Sequence, residues 1–263
     1  MNNGLFRFAD IFYKLVATNF YIARQQLFNQ FINLCIWGFC QLVVMGYLMQ
    51  SFGLASSFGA FQLATVIGTV GLFEVYGNTV KSIMDFEGDR SIGYYLTLPA
   101  SSTVVLLSMV CSYALVGILL SCAMFLFNAL IFSTSFNIAN ISCIKFAVII
   151  VLANIFYGVF TIAVTAHVGS MAKIRNAWSR FIFPLWFMGG FQFSWASMYK
   201  LSAPLAYALL CNPIIFIMEG VRAALLGAEG CLPWEVCCIA LCSFTIVLWF
   251  YAHYKMKKLL DFV

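Results

Sequence analysis

The acidic residue Glu74 lies within a long apolar stretch of the sequence and is followed by Asn78 and Lys81. These residues are spaced by four and three positions, which puts them on one face of a helix. A carboxylate within a membrane-spanning helix is energetically costly and typical of ion pathways and proton relays. The sequence therefore predicts one of two roles for this face: a gate or lining of a translocation path, or a polar cluster that anchors the helix end.

The densest charged stretch of the chain follows directly, from Lys81 through Asp85 and Glu87 to Arg90. The sequence on either side is nearly free of charge, and a membrane interior does not accommodate so many charges together. This segment is therefore predicted to be a water-facing loop between two membrane spans. Glu87 and Arg90 either pair with one another at three-residue spacing or contact a partner protein.

The same loop carries signs of internal structure. Gly88 is a candidate helix terminator. Residues 91–98 can form a second short helix, with Tyr94 and Tyr95 on its apolar side, before Pro99 ends it. A short helix that exposes aromatic side chains at a membrane surface is suited to docking a soluble partner.

A third polar group lies late in the chain, within the otherwise apolar stretch 201–226. It begins with Asn212 and Pro213 and ends with Glu219 and Arg222, which are three positions apart. We expect Glu219 and Arg222 to be structural residues that close a hairpin at the external face and shape its gate.

Several kinds of chemistry are missing from the sequence. It has no glycine-rich phosphate-binding loop with the Gly-x4-Gly-Lys-Ser/Thr pattern, so no bound ATP or other cofactor is predicted. His167 and His253 are its two histidines, and neither belongs to a metal-ligand pattern, so we expect no metal site and no catalysis. The ten cysteines lie mostly in apolar stretches, although Cys211 and Cys231 are candidates for a disulfide.

The composition identifies an integral membrane protein. The 263 residues are 63% hydrophobic and 9% charged, whereas soluble domains are about 25% charged. The net charge of +5 arises from basic residues that flank apolar stretches, which favours the lipid bilayer over nucleic acid as the partner. We predict one all-α membrane domain over residues 1–263, with an N-terminal interfacial helix at about 5–28. The predicted spans are about 31–52, 58–80, 104–132, 144–168, 181–198 and 236–254.

The stretch 201–226 decides between six and seven spans. With six spans, eleven of the 14 Lys and Arg residues lie on the side of both termini, and Lys145, Lys200 and Arg222 lie on the other. Positively charged loops are typically cytoplasmic, so this asymmetry favours six spans with both termini in the cytoplasm. The stretch 201–226 is then a re-entrant hairpin at the external face, where a broken helix is tolerated if it packs within protein.

Two motifs resemble those of type-2 ABC transporter permeases. Residues 87–101 follow the pattern Glu-Gly-x-Arg-x-x-Gly-x-x-Leu-Thr-Leu-Pro-Ala-Ser, which is similar to the loop after the second span in that family. Residues 212–222 follow the pattern Asn-Pro-x5-Glu-x2-Arg, which resembles the family signature before the last span. The motifs occur in the family's order, and the resemblance extends over essentially the whole chain.

The resemblance implies a membrane subunit of an ATP-driven exporter in a bacterial inner membrane. A coupling helix within residues 82–99 would dock on a separate ATPase subunit, which would hold the ATP. The docking residues would be Asp85, Glu87, Gly88 and Arg90, together with the two tyrosines of the loop. The translocation pathway would form between two copies of the chain, or between this chain and a related permease.

Two other functions are compatible with the composition. An ion-coupled carrier or channel without an ATPase would use intramembrane charges, of which Glu74 is the single acidic example, and would typically contain a two-fold repeat. A membrane-embedded lipid-modifying enzyme would need several converging polar or metal-binding residues at one membrane face, and the sequence offers few.

Overall fold

The structure, a computed structural model, describes residues 2–53, 58–88, 101–131, 141–227 and 230–260. Within these ranges the regular elements are all helical, which confirms the all-α class. The loop segment 89–100, with Arg90, Tyr94 and Tyr95, lies outside the described residues.

The chain forms four long helices, a segmented stretch, three shorter helices and a final long helix in its described part. The helices are α1 (Asn2–Leu42), α2 (Phe58–Glu87), α3 (Ser102–Ile131), α4 (Cys143–Val168), α5 (Trp195–Leu201), α6 (Ala203–Leu209), α7 (Pro213–Leu225) and α8 (Trp234–Leu260). A π-helical turn (Val43–Leu48) and Met49–Ser51 continue α1. The segmented stretch, called here the 171–191 tract, comprises Met171–Ala177, Trp178–Ile182, Phe183–Trp186 and Phe187–Phe191.

Five helices of the described chain are long and apolar enough to cross a membrane, and the bent pair α6–α7 adds a sixth candidate. The protein is therefore a multi-pass integral membrane protein. In their most apolar windows α2 and α4 are 72% buried, whereas α1 and α8 are 17% buried. The bundle thus has α2 and α4 at its centre, while α1 and α8 present most of their apolar surface outwards.

Side-chain contacts fix the direction of the first four helices. We call the end of the bundle where α2 begins the Phe58 face and the end where it finishes the Glu87 face. Helix α1 runs antiparallel to α2, because Gln30 contacts Glu74 while Gly38 approaches Val66. Helix α3 begins near the Glu87 face, where Tyr113 contacts Ser82 of α2, and runs towards the Phe58 face. Helix α4 runs antiparallel to α3, because Phe146 contacts Phe125 while Gly158 approaches Val110.

Helices α4 and α8 are parallel neighbours. Near the Phe58 face the Trp234 indole N–H donates to the Lys145 carbonyl at 3.2 Å. Near the Glu87 face His167 Nδ1 lies 3.0 Å from the Tyr251 hydroxyl. Both helices therefore run from the Phe58 face to the Glu87 face. The chain that connects them must make an odd number of passages back through the bundle.

The 171–191 tract makes one such passage. At the Glu87 face the Met171 backbone N–H donates to Glu87 Oε1 at 3.1 Å. At the other end Gln62 Nε2 donates to Gln192 Oε1 at 2.8 Å and to the Phe191 carbonyl at 3.5 Å. Residues 62 and 87 of α2 are about 37 Å apart along a helix. The tract therefore runs beside α2 over nearly its full length, in the opposite direction.

Two predicted boundaries differ from the structure. The separate interfacial helix at 5–28 and span at 31–52 are parts of one helix, since α1 continues without a break to Leu42. The predicted span 181–198 is not a single helix, because Gly190 has a φ of 82° and ends the tract there. Residues from Trp195 onwards already belong to α5. The passage begins ten residues earlier than predicted, at Met171.

Candidate functional site

A polar cleft of about 270 Å³ lies between α1, α2 and α3, in the half of the bundle nearer the Glu87 face. Its polar lining includes Asn19, Gln26, Gln30, Asn78, Lys81, Ser82, Asp85, Ser112 and Tyr113. All three helices contribute polar side chains to this cleft. The cleft therefore gathers polar side chains from three helices of the described bundle.

Glu74 lies one helical turn beyond the cleft, next to Asn78 on α2. Both side chains are buried, and Glu74 Oε2 accepts a hydrogen bond from Gln30 Nε2 at 2.9 Å. The face predicted from the spacing of Glu74, Asn78 and Lys81 therefore exists, with the first two residues buried and Lys81 exposed at the mouth. The partner of Glu74 is Gln30 rather than its helical neighbour Lys81.

Beyond Glu74 the polar layer continues into α4 but is closed. Glu74, Asn78 and Asn154 border a gap that has no room for a water molecule. The Asn154 amide sits so close to α3 that a Cβ atom at Gly117 would lie 2.1 Å from its Oδ1. This close packing separates the cleft from the other half of the bundle. The cleft itself reaches as far into the bundle as Gln30 and Asn78, one helical turn before Glu74.

The docking residues predicted in the loop are divided between the described and undescribed parts of the chain. Asp85 lines the polar cleft, and α2 ends at Glu87, just before Gly88. Glu87 is exposed, and one of its oxygens accepts from the Met171 backbone N–H. Glu87 therefore ties the start of the loop to the start of the 171–191 tract, a contact that sequence reasoning missed.

Glu219 and Arg222 form an ion pair that is completely buried, with 2.8 Å between Arg222 Nη1 and Glu219 Oε1. The carboxylate also accepts from the backbone N–H groups of Trp195 and Leu232, each at 3.0 Å. The two acidic oxygens thus connect α7 with the start of α5 and with the segment before α8. The burial of this pair exceeds that of a typical ion pair at three-residue spacing.

The guanidinium of Arg222 joins two further parts of the bundle. It donates to Thr65 Oγ1 of α2 at 2.9 Å and to the carbonyls of Gly190 and Phe193. The Phe61 ring lies 3.8 Å from the guanidinium carbon, a cation–π contact. Arg222 therefore fixes the end of the 171–191 tract against α2.

Asn212 and Pro213 form the start of α7. Asn212 Oδ1 accepts from the Ile214 backbone N–H at 3.0 Å, which caps the helix, and Pro213 occupies its first turn. Asn212 Nδ2 donates to the Leu185 carbonyl at 2.6 Å, so the cap also attaches the helix to the 171–191 tract. Helices α6 and α7 meet here at an angle of 97°.

Other reactive side chains do not form a site within the described residues. No group of three or more His, Cys, Asp or Glu side chains there could hold a metal ion. His167 contacts Tyr251, and His253 stacks against Trp249. Cys211 and Cys231 are free thiols, so the candidate disulfide is not formed.

Comparison of the chain with models of known protein families and with curated proteins gave no match.

Proposed function

We propose that the protein is the permease subunit of an ATP-driven ABC exporter of the type-2 class. The observation that carries this proposal is the order and direction of its helices. The described residues make six passages through the bundle, with the short buried helix α7 between the fifth and the sixth. This is the arrangement that the resemblance to type-2 ABC permeases implies. The bound ATP and its hydrolysis belong to a separate ATPase subunit.

The parallel packing of α4 and α8 supports a re-entrant hairpin rather than a seventh span. An odd number of passages must separate two parallel helices, and the 171–191 tract supplies one. A complete crossing by α6 and α7 would make the number even. In addition, Ala224 at the end of α7 accepts from the Ser142 N–H at the start of α4, so α7 finishes at the Phe58 face.

Charge supports an orientation with the Glu87 face in the cytoplasm. Lys173, Arg175 and Arg180 occupy the first half of the 171–191 tract, and Lys255 and Lys257 lie at the end of α8. Clusters of Lys and Arg next to spans are typical of the cytoplasmic side. Both termini are then cytoplasmic, and by resemblance the membrane is a bacterial inner membrane.

The contact between Glu87 and Met171 suggests how the loop couples to the membrane. An ATPase that docks on residues 82–99 and moves on ATP binding would displace the end of α2 and the start of the 171–191 tract together. Such displacement requires contacts that differ between two states of the ATPase. The apolar outer faces of α1 and α8 leave room for a second copy or a related permease, and the polar cleft at Glu74 is the candidate pathway lining.

The test is purification of the tagged chain in mild detergent from its native membrane, followed by identification of bound proteins and assay of ATP hydrolysis. The informative variant combines Glu87→Gln with Arg90→Ala. Gln keeps an oxygen that can accept from Met171 N–H, so the variant removes charge without removing that structural contact. Lys200→Ala, at an exposed position on α5, is the control on the opposite face.

We expect an ATPase to copurify with the wild type and the control, and to be lost or uncoupled in the double variant. If the same amount of active, coupled ATPase copurifies with the wild type, the control and the double variant, the exporter proposal stands but Glu87 and Arg90 are not docking residues. If crosslinked membranes yield no ATPase with any of them, the exporter proposal is wrong.

A second candidate, an ion-coupled carrier without an ATPase, is favoured by the buried carboxylate of Glu74. A carrier of this kind would move its solute in liposomes that contain the purified chain alone and an ion gradient. Glu74→Gln would abolish that movement, because the amide does not exchange protons. An exporter would show no gradient-driven movement under the same conditions.

A further inference from the structure

A second and larger cleft, of about 590 Å³, lies at the Glu87 face on the other side of the bundle. It is bordered by α4, the first half of the 171–191 tract and α8. Its inner wall is apolar and includes Phe160, Val164, Phe181 and Leu248. The volume falls within the range of about 300–1,000 Å³ that is typical of small-molecule sites.

The rim of this cleft is basic. Lys173, Asn176 and Arg180 follow one another at spacings of three and four, so they share one side of the tract, and all three are exposed. His167 and Tyr251 complete the rim and contact each other at 3.0 Å. No carboxylate is among the described residues that line the cleft. Neither Lys173 nor Arg180 forms an ion pair within the described part of the chain.

We propose that this cleft binds an anionic phospholipid. Its phosphate group lies between Lys173 and Arg180, and one acyl chain lies along Phe160 and Val164. The two basic residues are about 10 Å apart along the helix, so their long side chains can converge on one phosphoryl group. Asn176, between them, can donate to the lipid glycerol oxygens.

The combination of apolar wall and basic rim favours a lipid over free phosphate. Phosphate gains nothing from an apolar wall, whereas an acyl chain buried there leaves water. Basic pockets between spans on the cytoplasmic side are typical sites for anionic headgroups, which that leaflet supplies. The inference rests on the proposed cytoplasmic orientation of the Glu87 face, but it needs no ATPase, so it can hold even if the exporter proposal fails.

The experiment measures lipid retention by the chain alone. The chain is placed in nanodiscs of phosphatidylglycerol and phosphatidylcholine and released into detergent, and native mass spectrometry counts the bound phosphatidylglycerol. The test variant is Lys173→Ala with Arg180→Ala. The control is Arg175→Ala with Lys257→Ala, which removes the same charge from the same face at exposed positions outside the cleft.

We expect the test variant to bind phosphatidylglycerol about 30-fold more weakly, because two headgroup contacts are lost. The control should remain within about two-fold of the wild type, since Arg175 and Lys257 do not line the cleft and salt screens exposed charges that make no direct contact. An equal loss in both variants would mean general surface attraction and would overturn the proposal. Displacement of the lipid by inorganic phosphate as readily as by lysophosphatidylglycerol would overturn its lipid specificity.

A second measurement does not depend on variants that must fold. A phosphatidylglycerol with a photoreactive acyl chain is crosslinked to the wild-type chain, and the labelled peptides are identified. Labels on Phe160, Val164 or Leu248 support the proposal. Labels confined to the outward faces of α1 and α8 would contradict it.

Discussion

The buried pair of Glu219 and Arg222 gives the sharpest test of the structure, through the substitution Glu219→Gln. Both carboxylate oxygens of Glu219 accept from N–H donors: Oε1 from Arg222 and Trp195, and Oε2 from Leu232. A glutamine amide has one oxygen and one NH2 group. With the NH2 group in the Oε2 position the Leu232 N–H loses its acceptor, and with the NH2 group in the Oε1 position both Arg222 and the Trp195 N–H lose theirs.

The size of the effect follows from complete burial. Both side chains have 0% relative exposure, so Arg222 would keep its charge in the protein interior without a counter-ion. Breaking a buried ion pair by removing one partner costs about 3–5 kcal/mol. Arg222 retains its contacts with Thr65 and the carbonyl of Phe193, so we expect about 3 kcal/mol, near the lower limit of that range. For a chain of this size the midpoint of thermal unfolding should fall by about 6–12 °C.

The matched control is Glu74→Gln, the same substitution at a second buried glutamate. Glu74 accepts from the side chain of Gln30 through one oxygen, and a glutamine can turn its own oxygen towards that donor. We expect a loss below about 1 kcal/mol. Thermal unfolding of both variants in the same detergent, followed by intrinsic fluorescence, makes the comparison.

Equal stability of the two glutamine variants would refute this account of the Glu219 site. A further variant, Glu219→Gln with Arg222→Met, tests whether the cost comes from the unpaired charge. Met occupies a similar length without charge, so the double variant should be more stable than Glu219→Gln alone. If it is less stable, the contacts of Arg222 with α2 and the tract carry more of the stability than the ion pair does.

Two other predictions concern packing and topology. Gly117→Ala should destabilise the protein by about 1–3 kcal/mol, because its Cβ would overlap Asn154, whereas Gly77→Ala, with open space around it, should be neutral or stabilising in the same unfolding assay. In a chain that keeps Cys143 as its only cysteine, a membrane-impermeant thiol reagent should label intact cells. With Ser170→Cys as the only cysteine, labelling should require opened cells, and the reverse pattern would contradict the proposed orientation.

Hydropathy correctly indicated the membrane class and most long helices. For α1 the prediction was wrong, because it divided one continuous helix into an interfacial helix and a span. The predicted interfacial helix at about 5–28 ends within a polar cluster that runs from Arg24 to Gln30. These residues do not break a helix, and Gln26 and Gln30 face the polar cleft instead. An amphipathic pattern is typical of a helix at the membrane–water interface, but also of a helix that lines a polar cleft inside the protein. Distinguishing the two requires knowledge of α2 and α3, which the α1 sequence does not contain.

The fifth passage was misplaced for a related reason. Lys173, Arg175 and Arg180 fall between the predicted spans 144–168 and 181–198, yet they lie in the helical 171–191 tract. Lys173 and Arg180 are accommodated in a helix because their side chains lie at the rim of the larger cleft, between the tract, α4 and α8. The twin glycines that end the tract were visible in the sequence, but their effect depends on Arg222, which holds Gly190 through its carbonyl.

The sequence places Glu219 and Arg222 three positions apart, which allows an ion pair but does not indicate that the pair is buried. Three-residue spacing is common at exposed helix surfaces, where ion pairs contribute little. Here the partners that bury the pair lie far away in sequence, at Thr65 on α2 and Trp195 on α5. The sequence therefore specified the local contact, while the long-range packing that makes it important became visible only in the fold.

Helix α2 links the loop that follows Glu87 to the 171–191 tract. It holds the 171–191 tract at both ends, through Gln62 and Glu87, while the middle of the tract contains π-helical turns and Pro184. A proline cannot donate the backbone hydrogen bond that stiffens a helix. Movement of the end of α2 at Glu87 would therefore bend the tract in its middle rather than slide it along α2. Such bending would move Lys173 and Arg180 relative to α4, so the cleft that we propose as a phospholipid site would change shape with it.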